Sequence, residues 1–289
     1  MPTAQRDGYP AGVPCFIDTA QPDPEAATRF YGGLFGWEFE DRMPAELPGH
    51  YFGAQLAGLE VAGVASREPG PPRPATWMTY IAVDSVDETA GAVWAAGGTV
   101  LVEPLSFFSA GRMAVCADPQ GAVFCLWQAD EHSGAQLVNA PGSWNWSDLN
   151  TRDPEGAKAF YGRVFGWEPS AVRFGAFEAT MWRRPGYCDA LEQLEPGIRN
   201  RHADAGAPEG FSDAIGWLME MSEDVFDDDV PPHWAVTFAV DGTDAIAERA
   251  AELGGTVVTA PFDAGPTRVA VLRDPQGATF SVSTYAPSV

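Results

Sequence analysis

Two aspartates each follow an aromatic residue at a spacing of two, as Phe16-Ile17-Asp18 and Trp146-Ser147-Asp148. Both stretches read as strands, and strand side chains two apart share a face. Asp18 therefore stands beside Phe16, and Asp148 beside Trp144 and Trp146. A carboxylate among aromatic rings can pair with a buried cation, orient a polar group on a ligand, or act as acid or base. An arginine is available in each case. A turn at 118–121 that pairs residue 117 with 122 sets Arg112 opposite Trp127 and Ala114 opposite Cys125. The matching turn sets Arg268 opposite Ser283, Ala270 opposite Ser281 and Leu272 opposite Thr279. Arg112 and Arg268 are thus expected to point toward Asp18 and Asp148. Because the pairing occurs twice, a structural ion pair is the plainest role. Orientation of a ligand, or catalysis by Asp18 or Asp148, are the alternatives.

These residues sit in a chain written twice. FYGGLFGWE at 30–38 returns as FYGRVFGWE at 160–168, with seven of nine residues identical. Ala82-Val83-Asp84 returns as Ala239-Val240-Asp241, and Gly97-Gly98-Thr99-Val100 as Gly254-Gly255-Thr256-Val257. Asp118-Pro119-Gln120-Gly121-Ala122 returns as Asp274-Pro275-Gln276-Gly277-Ala278. Ordered matches of this kind mark a duplicated unit. Within one copy, a strand at 14–20 leads to Asp23-Pro24-Glu25, which supplies an N-cap, a first-turn proline and a first-turn acid. The helix that follows ends at Gly36, and 37–66 has room for three strands. A strand at 76–83 then leads to a helix capped by Asp84 and ended by Gly97-Gly98, followed by three more strands. Each copy therefore reads β-α-β-β-β twice. The domains are expected at 14–128 and 143–286, with a linker at 129–142. An insertion near 184–212 interrupts the second domain and has the composition of a lid or a charged surface segment.

Composition limits the function. The 289 residues carry a formal net charge of −23, which disfavours nucleic acid and anionic membranes as partners. No apolar run is long enough to span a bilayer, and the first residues lack a secretory apolar segment. A cytoplasmic protein, monomer or homodimer, acting on a small-molecule ligand is the expectation. Cys15, Cys116, Cys125 and Cys188 show no metal or redox spacing and are expected as buried free thiols. The acidic run at 222–230 lacks the calcium-loop pattern and reads as a solvated loop. Arg199 and Arg201 in the insertion read as surface charge, with anion binding as the alternative.

The motifs together resemble the vicinal-oxygen-chelate superfamily, which includes glyoxalase I, bleomycin-resistance proteins and extradiol dioxygenases. The pieces that carry the likeness are the Asp-Pro cap, FYxxxFGWE, VD before a helix, GG at its end, and DPQGA. Among such proteins the chain looks most like two-domain glyoxalase-like proteins of actinobacteria, including a mycobacterial antigen. The resemblance implies an α+β fold of tandem vicinal-oxygen-chelate domains, four βαβββ modules forming two cup-shaped curled sheets. In metal-using relatives His, Glu or Gln side chains inside the cup hold a divalent ion. The matching positions here are Phe16, the region of Glu60, Met78 and Cys125, then Trp146, the region of Asp213, Ala235 and Ser281. Phenyl, indole, thioether and methyl groups do not ligate such ions, so no metal and no other cofactor is expected. His233 lies two residues from Ala235 and is expected as a turn or mouth residue, while His50, His132 and His202 fall in loops.

Without a metal, the expected cup walls define the site. In the first copy they are Phe16, Met78, Tyr80, Arg112, Cys125 and Trp127 around Asp18. In the second they are Trp144, Trp146, Thr237, Arg268, Thr279, Ser281 and Ser283 around Asp148. Rings with a few polar groups suit a flat, partly polar organic ligand. Sequestration of such a molecule is the leading expectation. A metal-independent lyase, isomerase or cyclase is the alternative, and a metal-dependent glyoxalase or dioxygenase a further one.

Overall fold

The computed structural model describes residues 6–68, 70, 73–174, 177–222 and 226–285. The first module comprises β1 (Pro14–Gln21), α1 (Pro24–Phe35), β2 (Glu38–Asp41), β3 (Tyr51–Leu56) and β4 (Leu59–Ser66). The second comprises β5 (Trp77–Ala82), α2 (Val86–Ala95), β6 (Thr99–Phe107), β7 (Gly111–Ala117) and β8 (Val123–Ala129). The third comprises β9 (Trp144–Thr151), α3 (Pro154–Phe165), β10 (Glu168–Phe174), β11 (Phe177–Arg183) and, after an insertion, β12 (Ala214–Glu220). The insertion folds as α4 (Tyr187–Leu194), α5 (Ile198–Asp204) and a 3-10 turn at Phe211–Asp213. The fourth module comprises β13 (His233–Ala239), α6 (Thr243–Glu252), β14 (Thr256–Ala264), β15 (Thr267–Arg273) and β16 (Thr279–Tyr285).

Modules pair into two mixed eight-stranded sheets, curled but not closed. The first has the order β2-β3-β4-β1-β5-β8-β7-β6, and the second repeats it as β10-β11-β12-β9-β13-β16-β15-β14. The first strands of the two modules, β1 and β5 or β9 and β13, run antiparallel at the centre. Helix ends follow the sequence signals. Asp23 and Asp153 cap α1 and α3 by accepting the backbone N–H of Ala26 and Gly156, both with proline at N1, and Gly36 and Gly166 close them with φ of 74° and 69°. One cap differs from expectation. Ser85, not Asp84, accepts the Glu88 N–H at the start of α2, because the helix begins one residue later.

The repeated motifs turn out to be mutual docking pieces. In each Asp-Pro-Gln-Gly turn one carboxylate oxygen shapes the turn. Asp118 Oδ1 accepts the N–H groups of Gln120 and Ala122, and Asp274 Oδ1 those of Gln276 and Ala278. The other oxygen reaches the opposite copy. Tyr31 of the first FYGGLFGWE donates to Asp274 Oδ2 at 2.9 Å, and Tyr161 of the second to Asp118 Oδ2 at 3.2 Å. Trp77 and Trp234 indoles donate in turn to those two hydroxyls. Both tyrosines are fully buried, and α1 packs on Phe238 and Phe280 while α3 packs on Phe124. Each helix thus buries its ring face against the other copy's last module, which leaves the opposite sheet faces as the cups. The four cysteines are buried and free. Among the described residues no helix is long and apolar enough to cross a membrane.

Candidate functional site

Register decides which side chains line each cup. In the first sheet Phe16 faces Tyr80, Asp18 faces Met78, and Tyr80 lies level with Cys125. In the second, Trp146 faces Thr237, Asp148 faces Ala235, and Thr237 lies level with Ser281. These groups meet on the face away from the helices.

The two arginines do not join them. In the β7–β8 hairpin Met113 stands opposite Trp127 and Val115 opposite Cys125, with Arg112 opposite Gln128. In β15–β16 Val269 faces Ser283, Val271 faces Ser281 and Arg273 faces Thr279. The turn holds one more residue than expected, because Asp118 closes onto the Ala122 N–H and removes both from the ladder. A slip of one residue moves every side chain to the other face. Arg112 therefore lies on the helix side, bonded to Asp87 of α2, and Arg268 is held by Asp244 of α6 and by Asp263. The expected Asp18–Arg112 and Asp148–Arg268 pairs do not form. Trp144 is displaced too. An irregularity in β9 sets it opposite Phe238, and it joins that residue's apolar cluster rather than the wall around Trp146. Thr279 is exposed at the outer end of β16, where Arg273 Nε approaches its hydroxyl at 3.4 Å.

The first cup is filled by its own side chains. Phe16, Asp18, Tyr80, Cys125 and Trp127 are all buried, Cys125 to 1% exposure. Tyr80 donates to Asp18 Oδ2 at 2.7 Å, and Trp127 stands edge-on to the Tyr80 ring at 6.2 Å. Burial pushes the Asp18 carboxyl up to about 6, moderated by the Tyr80 hydrogen bond and the proximity of His132. His132, a loop residue by its sequence position, is central here. It enters from the segment joining the copies and packs on Phe16 at 4.8 Å and Trp127 at 5.6 Å. Its Nε2 lies 3.1 Å from Glu60 Oε1, sheltered from solvent and without a well-directed hydrogen bond. Arg42 reaches the same Glu60 oxygen at 2.7 Å. Burial raises the Glu60 carboxyl, but His132 and Arg42 outweigh it and hold it below the usual range. A loop position gave no signal for His132, because only the path of the joining segment brings it over the cup.

The second cup is more open. Trp146, Asp148 and Ser281 are only partly buried, although Thr237 and Ser283 at its base are covered. Trp146 meets Trp217 at 6.1 Å and Phe211 at 6.0 Å, so the insertion does cover one side of this cup. Asp148 Oδ1 accepts the Trp217 backbone N–H at 3.1 Å, while among the described residues Oδ2 has a single long contact, 3.4 Å from the Thr237 hydroxyl. Burial in this ring-lined space drives the Asp148 carboxyl up to about 7, against the small opposing pull of those two donors.

A divalent ion does not fit either donor set. Among the described residues no group of three His, Cys, Asp or Glu side chains converges on one point. Glu60 is committed to Arg42, and Asp213 accepts the Cys188 N–H at the start of α4. His233 sits at the entry to β13, bonded through Nδ1 to the Pro231 carbonyl. Arg199 and Arg201 pair with Asp189 and Glu195 inside the insertion. The acidic run at 222–230 lies partly outside the described residues.

Comparison with known proteins agrees with this architecture. A glyoxalase-like domain profile matches residues 15–127 and 146–283. The putative glyoxylase CFP32 of Mycobacterium tuberculosis (strain CDC 1551 / Oshkosh) is 39% identical over 286 residues, covering 98% of each chain. The anthracycline biosynthesis protein DnrV of Streptomyces peucetius is 33% identical over 287 residues, covering 95% of this chain and 94% of that protein. Among solved structures, the Mn(II)-bound glyoxalase from Novosphingobium aromaticivorans superposes with a TM-score of 0.58 at 14% identity, covering 99% of this chain and 84% of that one. The 2,3-dioxygenase LapB from Pseudomonas sp. KL28 gives 0.57 at 12% identity, covering 95% and 93%. The last two share the fold alone. The profile match over both halves and the 39% identical relative together establish that the chain belongs to the glyoxalase-like family.

Proposed function

We propose that the second cup binds a small aromatic, partly polar organic molecule without a metal, and that the first cup is a structural counterpart. The observation that carries this reading is the contrast between the cups. Trp146, Trp217 and Phe211 surround a partly accessible Asp148 on one side, and the small Ala235, Thr237 and Ser281 face it on the other. Rings supply stacking area, and the carboxyl and hydroxyls supply orientation. The Streptomyces relative bears the name of an anthracycline biosynthesis protein, which makes a polycyclic aromatic a reasonable candidate. A panel of aromatic compounds screened by thermal shift, with and without divalent ions, tests it. Stabilisation that is independent of metal and lost in Trp146→Ala supports the reading. Stabilisation only with metal, or unchanged by Trp146→Ala, sinks it.

A catalytic reading has one specific observation in its favour. A carboxyl raised to about 7 is poised to give and take protons near neutral pH. Asp148 would then serve as acid or base in a lyase, isomerase or cyclase reaction. Chemical change of a bound compound that stops in Asp148→Asn, with binding retained, is the outcome this reading requires.

A further inference from the structure

The two copies fill equivalent positions with different side chains, and the difference describes a ligand. Tyr80 in the first copy and Thr237 in the second occupy the same register, opposite Phe16 and Trp146. Trp127 and Ser283 are likewise equivalent, level with Ala82 and Ala239. In the first cup the Tyr80 phenol satisfies Asp18 Oδ2 at 2.7 Å. In the second, threonine is too short to do the same, and its hydroxyl stops 3.4 Å from Asp148 Oδ2. Arg268 does not replace the phenol, since it is engaged on the helix side by Asp244 and Asp263. The second cup therefore keeps the carboxyl acceptor and loses both the phenol and the indole that fill the space before it.

The opposite wall changes in the complementary sense. Gly63 lies level with Asp18, and a Cβ there would come within 2.5 Å of Tyr51 Oη. Glycine thus lets the Tyr51 ring close the first cup from β3. One residue before the Leu218–Leu149 pair, the same place in the second copy holds Trp217 beside Asp148. The second cup consequently has indole surface on the β9 and β12 side and, among the described residues, the shorter Thr237 and Ser283 on the β13 and β16 side, narrower than Tyr80 and Trp127 by the width of their rings. A ring entering that width would face Trp146 with its edge toward Asp148.

We infer that the second cup selects a hydroxyaromatic ligand, whose hydroxyl donates to Asp148 Oδ2 and whose rings take the place that Tyr80 and Trp127 fill in the first cup. The inference rests on the second cup being the ligand site. In effect the first copy carries a covalently attached version of the ligand that the second copy takes from solution. A hydroxyl donor in water-poor surroundings is worth far more than one in solvent, so losing it is visible in affinity.

Calorimetric titration of the intact protein with naphthol, naphthyl methyl ether and naphthylmethylamine tests this. Naphthol is expected to bind roughly tenfold tighter than the ether, which keeps the rings but has no donor. Asp148→Ala should remove that difference while leaving ether binding in place. Thr237→Tyr, alone or with Ser283→Trp, should rebuild the plug and abolish naphthol binding, with an unchanged circular dichroism spectrum for whichever variant folds. Equal affinity for naphthol and ether, or tightest binding of the amine, overturns the hydroxyl inference but leaves an aromatic site standing. Binding of none of the three overturns the ligand site itself.

Discussion

Tyr31 donates its hydroxyl across the boundary between the copies to Asp274, at 2.9 Å, and Tyr161 returns the bond to Asp118 at 3.2 Å. The two bonds are not equally backed. Gln21 Nε2 also donates to Asp274 Oδ2, at 2.8 Å, whereas among the described residues Tyr161 is the side chain that serves Asp118 Oδ2. Removing the hydroxyl therefore strands a buried carboxylate oxygen in one case and not in the other. Tyr161→Phe is expected to cost about 2–3 kcal/mol and Tyr31→Phe about 1 kcal/mol. Denaturant unfolding of both variants checks the order. Equal losses would show that Gln21 does not compensate.

Asp148 gives stability a pH dependence of known sign. Its carboxyl is raised to about 7 in the folded chain, against the ordinary 3.8. Between those values the folded chain holds a proton that the unfolded chain has lost, so stability falls as pH rises through this window. Asp148→Asn removes that contribution. Its melting temperature should exceed that of the parent chain by a few degrees at pH 8 and match it near pH 4. A constant difference at both pH values would place the cause outside this titration.

Arg112 and Arg268 are partly exposed cations bonded to Asp87 and to Asp244 and Asp263 on the helix side. Pairs of this kind contribute about 0–1 kcal/mol. Alanine at either position should change stability by no more than that and leave aromatic binding untouched. Loss of binding in Arg268→Ala would contradict the observed strand register.

Arg6 links the N-terminal arm to the insertion. Its guanidinium lies over the rings of Tyr9 and Tyr187, at 5.2 and 5.9 Å, and donates to the Tyr187 hydroxyl at 2.5 Å. Tyr187 opens α4, in the same insertion that sets Phe211 against Trp146. Arg6→Ala should loosen this segment, seen as faster limited proteolysis within residues 184–213 and weaker ligand binding. Unchanged cleavage there would show that the arm does not hold the insertion.

How much of this was legible in the sequence differs between scaffold and site. The Asp-Pro caps, the Gly36 and Gly166 stops and the double DPQGA turn act through local geometry, so each signal stands in a few adjacent residues. The role of the FY motif was hidden, because Tyr31 and Asp274 are far apart in the chain and meet only through the packing of two copies. The site depended on register. Alternation placed Phe16 with Asp18 and Trp146 with Asp148 on one face, as the strands bear out. It failed in the last hairpins, where one more residue in the turn reversed the facing of Arg112 and Arg268. His132 gave no periodic signal at all, since a loop residue takes its place from the path of the chain.

A crystal structure of the protein grown with naphthol would show directly which cup takes the ligand. The ring is expected against Trp146 in the second cup, its oxygen within hydrogen-bond distance of Asp148, with an unchanged first cup in which Tyr80 is still bonded to Asp18. Ligand in the first cup with Tyr80 displaced, or a metal ion held by either cup, would contradict it.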